Sequence, residues 1–124
     1  MSRIIAIGLG GFVGANLRYW LQATLAARWG ADFPHGTLLI NILGSFILGL
    51  FVTLATTRWV VSPNLRLFVA VGLLGGFTTF SSFTVETLTL LQGGRWLPGA
   101  FYLLGNVVIG LLAALGGIAL ARAL

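Results

Sequence analysis

The chain has 124 residues, of which 58% are hydrophobic and 7% charged, and its mean hydropathy is +1.04. This composition excludes an ordinary soluble domain and indicates an all-α integral membrane protein in a lipid bilayer, with residues 1–124 forming a single four-helix domain. The net charge of +5 comes from singly scattered arginines, which argues against nucleic acid as a partner, and the absence of cysteine excludes disulfides and thiolate chemistry.

Four apolar stretches are each long enough to cross a hydrocarbon core of about 30 Å. We predict transmembrane spans at residues 4–27, 36–57, 67–91 and 97–120. Ser62 and Pro63 predict an N-cap and a first-turn proline before the third span. Trp29, Trp59 and Trp96 lie at span ends, where tryptophans commonly meet the membrane interface.

The arginines give only a small orientation bias. Four spans put both termini on one side of the membrane, and the two sides carry Arg3, Arg58, Arg66 and Arg122 against Arg28 and Arg95, with Arg18 unassigned. This excess is compatible with one fixed orientation that has its termini in the cytoplasm. It is also compatible with insertion both ways round, which would give an antiparallel, dual-topology homodimer.

Small residues recur four positions apart, a spacing that lets helices approach closely in lipid. The pairs are Gly10 and Gly14, Gly11 and Ala15, Ser45 and Gly49, and Ala113 and Gly117. They predict a tightly packed bundle. Four closely packed helices leave little interior for a pore, which favours an oligomer.

The centre of the third span carries the most informative stretch, Gly75-Gly76-Phe77-Thr78-Thr79-Phe80-Ser81-Ser82-Phe83. The glycine pair is expected to break the helix, since no proline lies inside the third span. Backbone that leaves a helix at membrane depth must be buried in protein or line a wet cavity. A break followed by four hydroxyl side chains therefore predicts a site that handles an ion.

The polar side chains within the spans favour an ion path over an enzyme. The single histidine, His35, lies in a predicted loop, and no serine–histidine–acid set or phosphate-binding loop is placed to act. Amides and hydroxyls donate hydrogen bonds to an anion, and aromatic rings present positive edges. Unwound backbone offers the opposite chemistry, because its carbonyl oxygens coordinate a hard cation.

Residues 75–83 resemble the third-helix signature of the Fluc (CrcB) family of fluoride ion channels. Three further segments match the family in order and spacing: residues 11–19, residues 36–46, and Tyr102 with Asn106. The resemblance covers essentially the whole chain. It departs from the family pattern at Ser82, where threonine is usual, and at Asn106, where serine is frequent.

The resemblance implies a dual-topology homodimer of four-helix subunits with two antiparallel pores at the subunit interface. It implies a structural sodium ion at the two-fold centre, held by the backbone carbonyls of Gly75 and Thr78. The implied fluoride path comprises Asn41, Phe80, Phe83, Ser81, Ser82, Tyr102, Asn106 and Glu86. Arg18 would lie toward a vestibule and attract anions.

The function implied is a fluoride-selective passive channel in a bacterial inner membrane, which exports cytoplasmic fluoride and reduces its toxicity. Two alternatives remain open at this point. A small dual-topology multidrug exporter would need an acid in the first span, whereas the sole acid within a span is Glu86. A non-transporting assembly subunit would show no flux when purified.

Overall fold

Five helices account for most of the chain in the computed structural model, which describes residues 2–124. They are α1 (Arg3–Trp29), α2 (His35–Thr57), α3 (residues 63–77), α4 (Phe80–Gln92) and α5 (Trp96–Ala123). Two of them contain π-helical segments, Leu67–Leu74 in α3 and Gly105–Ile109 in α5. Within residues 2–124 the fold is entirely helical, as predicted.

Four helical stretches are long and apolar enough to cross a membrane, which confirms the number of predicted spans. They are Arg3–Trp29, His35–Thr57, Pro63–Gln92 and Trp96–Ala123, so each runs up to four residues beyond the predicted limits. The third of them comprises α3 and α4. Its start is the predicted one, because the Ser62 hydroxyl accepts a hydrogen bond of 3.2 Å from the Leu65 amide and Pro63 occupies the first turn.

Glycines pack the helices in two close pairs, as the four-residue spacing predicted. Between α1 and α3, a Cβ added to Gly14 would lie 2.9 Å from the Phe77 amide nitrogen, and one added to Gly72 would lie 2.6 Å from the Ile7 carbonyl oxygen. Between α2 and α5, a Cβ on Gly49 would lie 2.5 Å from the Ala114 carbonyl oxygen. These distances are far below van der Waals contact, so backbone meets backbone in both pairs.

The third span breaks two residues later than predicted. Gly75 is still helical at φ −65° and ψ −36°, whereas Thr78 (φ −82°, ψ 159°) and Thr79 (φ −152°, ψ 117°) are extended. The prediction that the glycine pair itself breaks the helix is therefore wrong. Gly76 serves packing instead, because a Cβ there would lie 3.2 Å from the Gly11 Cα.

Threonine side chains make the break stable. The Thr78 hydroxyl donates back to the Leu74 carbonyl at 2.9 Å, at the end of α3. The Thr79 hydroxyl oxygen accepts from the Ser82 amide at 3.2 Å and so caps α4. A helix end that is capped by its own side chain satisfies an amide that would otherwise be orphaned, which matters most where water is scarce.

Candidate functional site: two cavities joined through Tyr102

The first cavity, here the outer cavity, has a volume of about 400 Å³ and lies beside the α1–α2 loop. The loop residues Gly30–Pro34 line it together with several polar side chains: Gln22, His35, Thr37, Ser82, Glu86 and Thr89. The Arg95 guanidinium donates to the Asp32 carbonyl and so ties the loop to the start of α5. The outer cavity is therefore a polar recess at one end of the bundle.

A hydrogen-bonded network of four side chains leads inward from this cavity. Gln22 Nε2 donates to Thr37 Oγ1 at 2.9 Å, and Thr37 Oγ1 donates to Glu86 Oε1 at 3.1 Å. The Tyr102 hydroxyl donates to the other carboxylate oxygen, Glu86 Oε2. Thr37 and Tyr102 are fully buried, at 1% and 0% exposure, and the network connects all four spans. Thr37 and Tyr102 both donate to Glu86, which acts purely as an acceptor.

A series of aromatic ring contacts also passes through Tyr102. Phe80 contacts Phe83 with ring centroids 5.5 Å apart, and Phe83 contacts Tyr102 at 5.8 Å. Tyr102 then meets Phe33 edge-on at 5.6 Å, and Phe33 meets His35 at 4.8 Å. Edge-on and tilted contacts of this kind leave positive ring edges available to neighbouring groups.

The second cavity, here the inner cavity, has a volume of about 410 Å³ and lies beside the helix break. It is bounded by α2, α4 and α5, and its lining includes Asn41, Thr78, Thr79, Phe80, Phe83 and Asn106. Tyr102 lies between the groups that line the two cavities: its hydroxyl bonds to Glu86 and its carbonyl accepts from Asn106 Nδ2 at 3.0 Å. Residues that line the two cavities are thus linked through Tyr102, by its hydroxyl to Glu86 and by its backbone carbonyl to Asn106.

Asn41 is bonded to the backbone of the break. Its Oδ1 accepts from the Thr79 amide at 2.9 Å, and its Nδ2 donates to the Thr79 carbonyl at 3.1 Å. The same Nδ2 donates to Asn106 Oδ1 at 2.8 Å. Both amide hydrogens of Asn41 are therefore engaged within the subunit.

Three hydroxyls cluster next to this amide pair. The Thr79 hydroxyl donates to Ser82 Oγ at 3.1 Å, and Thr79 Oγ1 lies 3.4 Å from Ser81 Oγ. Ser81 is exposed, Ser82 is half-buried and Thr79 is buried. The cluster offers rotatable donors between the inner cavity, which Thr79 lines, and the outer cavity, which Ser82 lines.

The break also frees two backbone carbonyls. In a continuous helix the Thr79 amide would bond to the Gly75 carbonyl, and the Ser82 amide to the Thr78 carbonyl. Here the Thr79 amide donates to Asn41 Oδ1 and the Ser82 amide donates to Thr79 Oγ1. The Gly75 and Thr78 carbonyl oxygens are thus released from regular helical bonds, and oxygens of this kind are ligands for a hard cation.

Most of the predicted site residues lie together in this region. Ser82 and Glu86 line the outer cavity, Asn41, Phe80, Phe83 and Asn106 line the inner one, and Tyr102 connects them. Arg18 is half-buried on α1 and lines neither cavity within residues 2–124, so its vestibule role stays a prediction.

Two members of the network, Gln22 and Thr37, were not among the predicted site residues. Both are polar residues inside predicted spans, and intramembrane polar groups tend to face a partner. That signal marks them as candidates. It does not give their partners, which are 15 and 49 residues distant along the chain.

Four spans and a polar, ring-lined interior define the class as a multi-pass membrane protein with a site for a small ion. The profile of the family described as "CrcB-like protein, Camphor Resistance (CrcB)" matches residues 5–118. The chain belongs to this family.

Curated relatives match over nearly their full length. A protein of Roseiflexus sp. (strain RS-1) is 49% identical over 121 residues, which cover 98% of each chain. A protein of Chloroflexus aurantiacus is 48% identical over 122 residues, covering 98% of this chain and 97% of the relative. One of Sorangium cellulosum is 44% identical over 124 residues. All three relatives are named "Fluoride-specific ion channel FluC", which describes a channel and not an enzyme.

Proposed function

We propose that this protein is a fluoride-selective ion channel of a bacterial inner membrane that lets fluoride leave the cytoplasm passively. The observation that carries the proposal is the series of hydrogen bonds and ring contacts through Tyr102 that links residues of the outer cavity to residues of the inner cavity. The name shared by relatives that match the whole chain supports the same function.

Fluoride suits this lining because it is a small, strongly hydrated anion that can cross only where its water is replaced. The hydroxyls of Thr37, Ser82 and Tyr102 can rotate their hydrogens towards a passing ion. The edges of Phe80 and Phe83 add weak positive potential without adding a fixed charge. Weak electrostatic contacts at several positions allow an ion both to enter and to leave.

Glu86 gives the path a place where donors are already gathered. Thr37 and Tyr102 both donate to its carboxylate, so a fluoride ion that approached would compete with Glu86 for the same two hydrogens. When fluoride replaces Glu86 as the acceptor of these two hydrogen bonds, the free-energy cost is smaller than when fluoride bonds to donors that must first lose their water. This mechanism assigns Glu86 a polar-track role instead of a proton-carrying one.

An antiparallel dual-topology homodimer would complete the path. Phe80 is 75% exposed on the single subunit, although it lines the inner cavity and belongs to the proposed fluoride path. An ion facing this ring would otherwise meet lipid, which cannot replace its hydration. A second copy laid against the inner cavity would cover the ring and give each dimer two paths.

A structural sodium ion at the centre of the dimer is part of the proposal. The Gly75 and Thr78 carbonyls fit it, because both are released from helical bonds and Gly75 is exposed on the subunit surface. When bound, sodium would supply fixed positive charge between the two third spans. The chain itself contributes the break that releases these two carbonyl oxygens from helical bonds.

The two rival functions have less support. An exporter of cationic drugs needs a carboxylate that is free to bind its substrate. Here the carboxylate of Glu86 already accepts from two buried donors, and the first span contains no acid. An assembly subunit gives no reason for a polar network that connects two cavities.

Fluoride efflux from liposomes that contain only the purified protein tests the proposal, with chloride as the paired ion. Fast fluoride efflux without chloride efflux is the expected result. If folded protein released neither ion, the channel proposal would be refuted and the assembly subunit favoured. Equal release of both ions would refute the selectivity.

A further inference from the structure

We propose that Asn41 is the positioning residue that holds the third span open at Thr79, with Asn106 orienting it; the consequence for sodium rests on the proposed function. Asn41 presents both an acceptor and a donor to one residue of the break. Its Oδ1 accepts from the Thr79 amide at 2.9 Å and its Nδ2 donates to the Thr79 carbonyl at 3.1 Å. A side-chain amide that pairs with both polar groups of one residue replaces the partners that an extended residue would find in a sheet.

The need for such a partner follows from burial. Thr79 is 7% exposed, so its amide and carbonyl cannot rely on bulk water. A buried amide without a partner is unfavourable, and the nearest remedy is the regular helical bond from the Thr79 amide to the Gly75 carbonyl. Because Asn41 already accepts from that amide, the amide gains little by bonding to the Gly75 carbonyl, and α3 and α4 stay separate helices. The Gly75 carbonyl stays free for the same reason.

Asn106 fixes which way the Asn41 amide faces. Its Nδ2 donates to the Tyr102 carbonyl on its own helix at 3.0 Å, so its Oδ1 is presented to Asn41 Nδ2 at 2.8 Å. With one amide hydrogen held by Asn106 and the other by the Thr79 carbonyl, Oδ1 of Asn41 must face the Thr79 amide. The two asparagines thus tie α5 to the break through α2.

This assignment differs from a fluoride-binding role for Asn41. Both of its amide hydrogens are engaged, so donation to an ion would break the bond to Asn106 or the bond to the Thr79 carbonyl. As a positioning residue, Asn41 acts on the path through the Thr79 backbone and through the hydroxyl of that residue, which bonds to Ser82.

Amide hydrogen exchange, measured residue by residue by NMR on protein in lipid nanodiscs, tests the positioning role without any measurement of transport. In Asn41→Ala we expect the Thr79 amide to exchange about tenfold or more faster than in the unaltered protein, as for a buried donor that loses its partner. The matched control is Asn16→Ala, since Asn16 bonds only to the Phe12 carbonyl of its own helix and should leave Thr79 unchanged. A Thr79 amide that stays equally protected in Asn41→Ala with extended backbone shifts would overturn the proposal. Protection with helical shifts would support it, because the amide would then bond to the Gly75 carbonyl.

Asn41→Asp separates the two halves of the amide and provides a second test if the alanine variant does not fold. Aspartate keeps an oxygen facing the Thr79 amide but cannot donate to the Thr79 carbonyl or to Asn106. We expect Thr79 protection to change by less than about threefold, on the premise that Oδ1 is the atom that holds the amide. A rise of about tenfold or more in Thr79 exchange would refute that premise.

Transport is measured on the same variants reconstituted in liposomes, so that the two proposals can fail separately. If the unaltered protein passes no fluoride but Asn41→Ala loses Thr79 protection, the channel proposal fails and the positioning role stands. If the unaltered protein passes fluoride and Asn41→Ala keeps Thr79 protected with extended backbone shifts, the positioning role alone fails. Faster Thr79 exchange together with weaker sodium dependence of fluoride flux is the result we expect.

Discussion

Gly44 lies opposite the helix break, and a single methyl group there should disturb it. A Cβ added to Gly44 would overlap the Thr78 Cγ2 methyl and lie 3.4 Å from Phe77 Cδ1. The first of these contacts is far below the usual separation between carbon atoms of about 3.5–4.0 Å. In Gly44→Ala, therefore, Thr78 or α2 must move.

The cost can be estimated from other overpacked interiors, where an extra methyl group typically costs about 1–3 kcal/mol. If that cost falls on the geometry of the path, fluoride flux should drop roughly 5- to 150-fold, since each 1.4 kcal/mol is a factor of about ten. Fluoride efflux from liposomes at matched protein density measures this drop. Gly8→Ala is the control, because nothing lies within 4 Å of a Cβ built at Gly8.

Thr78→Ser gives a specific rescue. Serine lacks the Cγ2 methyl that the new alanine would meet, and it keeps the hydroxyl that donates to the Leu74 carbonyl. Thr78→Ser alone should change flux only mildly, and the double variant Gly44→Ala, Thr78→Ser should recover most of the loss. The reasoning is refuted if Gly44→Ala conducts like Gly8→Ala, or if removing the methyl gives no recovery.

Three further predictions concern other parts of the molecule. Phe80→Ile should cut fluoride flux sharply without unfolding the subunit, because the ring is 75% exposed and contributes little packing within the subunit. Unchanged flux in the liposome assay would show that this ring is not part of the path. Tyr102→Phe keeps the ring contacts but deletes the donor to Glu86. Fluoride flux should fall about 10- to 100-fold, by analogy with the ~1.5–3 kcal/mol of a charge-assisted hydrogen bond. The control is Tyr19→Phe on the exposed face of α1, which should have no effect. Ser62→Ala removes the cap of α3 and should lower the free energy of unfolding by about 1 kcal/mol with flux unchanged, as followed by thermal unfolding in detergent; equal stability would argue against the cap.

The features that depend on local sequence could be predicted. Span lengths follow from continuous apolar runs, and the start of the third span follows from Ser62-Pro63. The close helix contacts follow from glycines four residues apart. Each of these signals lies within a few neighbouring residues, so no knowledge of the tertiary fold is needed to read it.

The break and the network depend on contacts that are distant in sequence. Glycine weakens a helix in isolation, but Gly76 is held against α1, and the helix ends where Asn41, 38 residues away, replaces the helical partner of Thr79. Gln22 and Thr37 likewise acquire a role only when α1 and α2 bring them to Glu86. Sequence gives the inventory of polar groups, and tertiary packing decides their pairing.

The arginines that tie helix ends together also bear on how the chain is inserted. Arg66 donates to the Ala55 carbonyl at 2.6 Å, and Arg58 donates to the Arg122 carbonyl at 3.4 Å. Both arginines therefore place positive charge at the C-terminal end of a helix, where the helix dipole is negative. Deleting either charge to redirect membrane insertion would therefore also uncap a helix, and the two effects would be confounded. An arginine-to-lysine exchange separates them, because lysine keeps the charge read by the insertion machinery and loses the planar fork that grips the carbonyl.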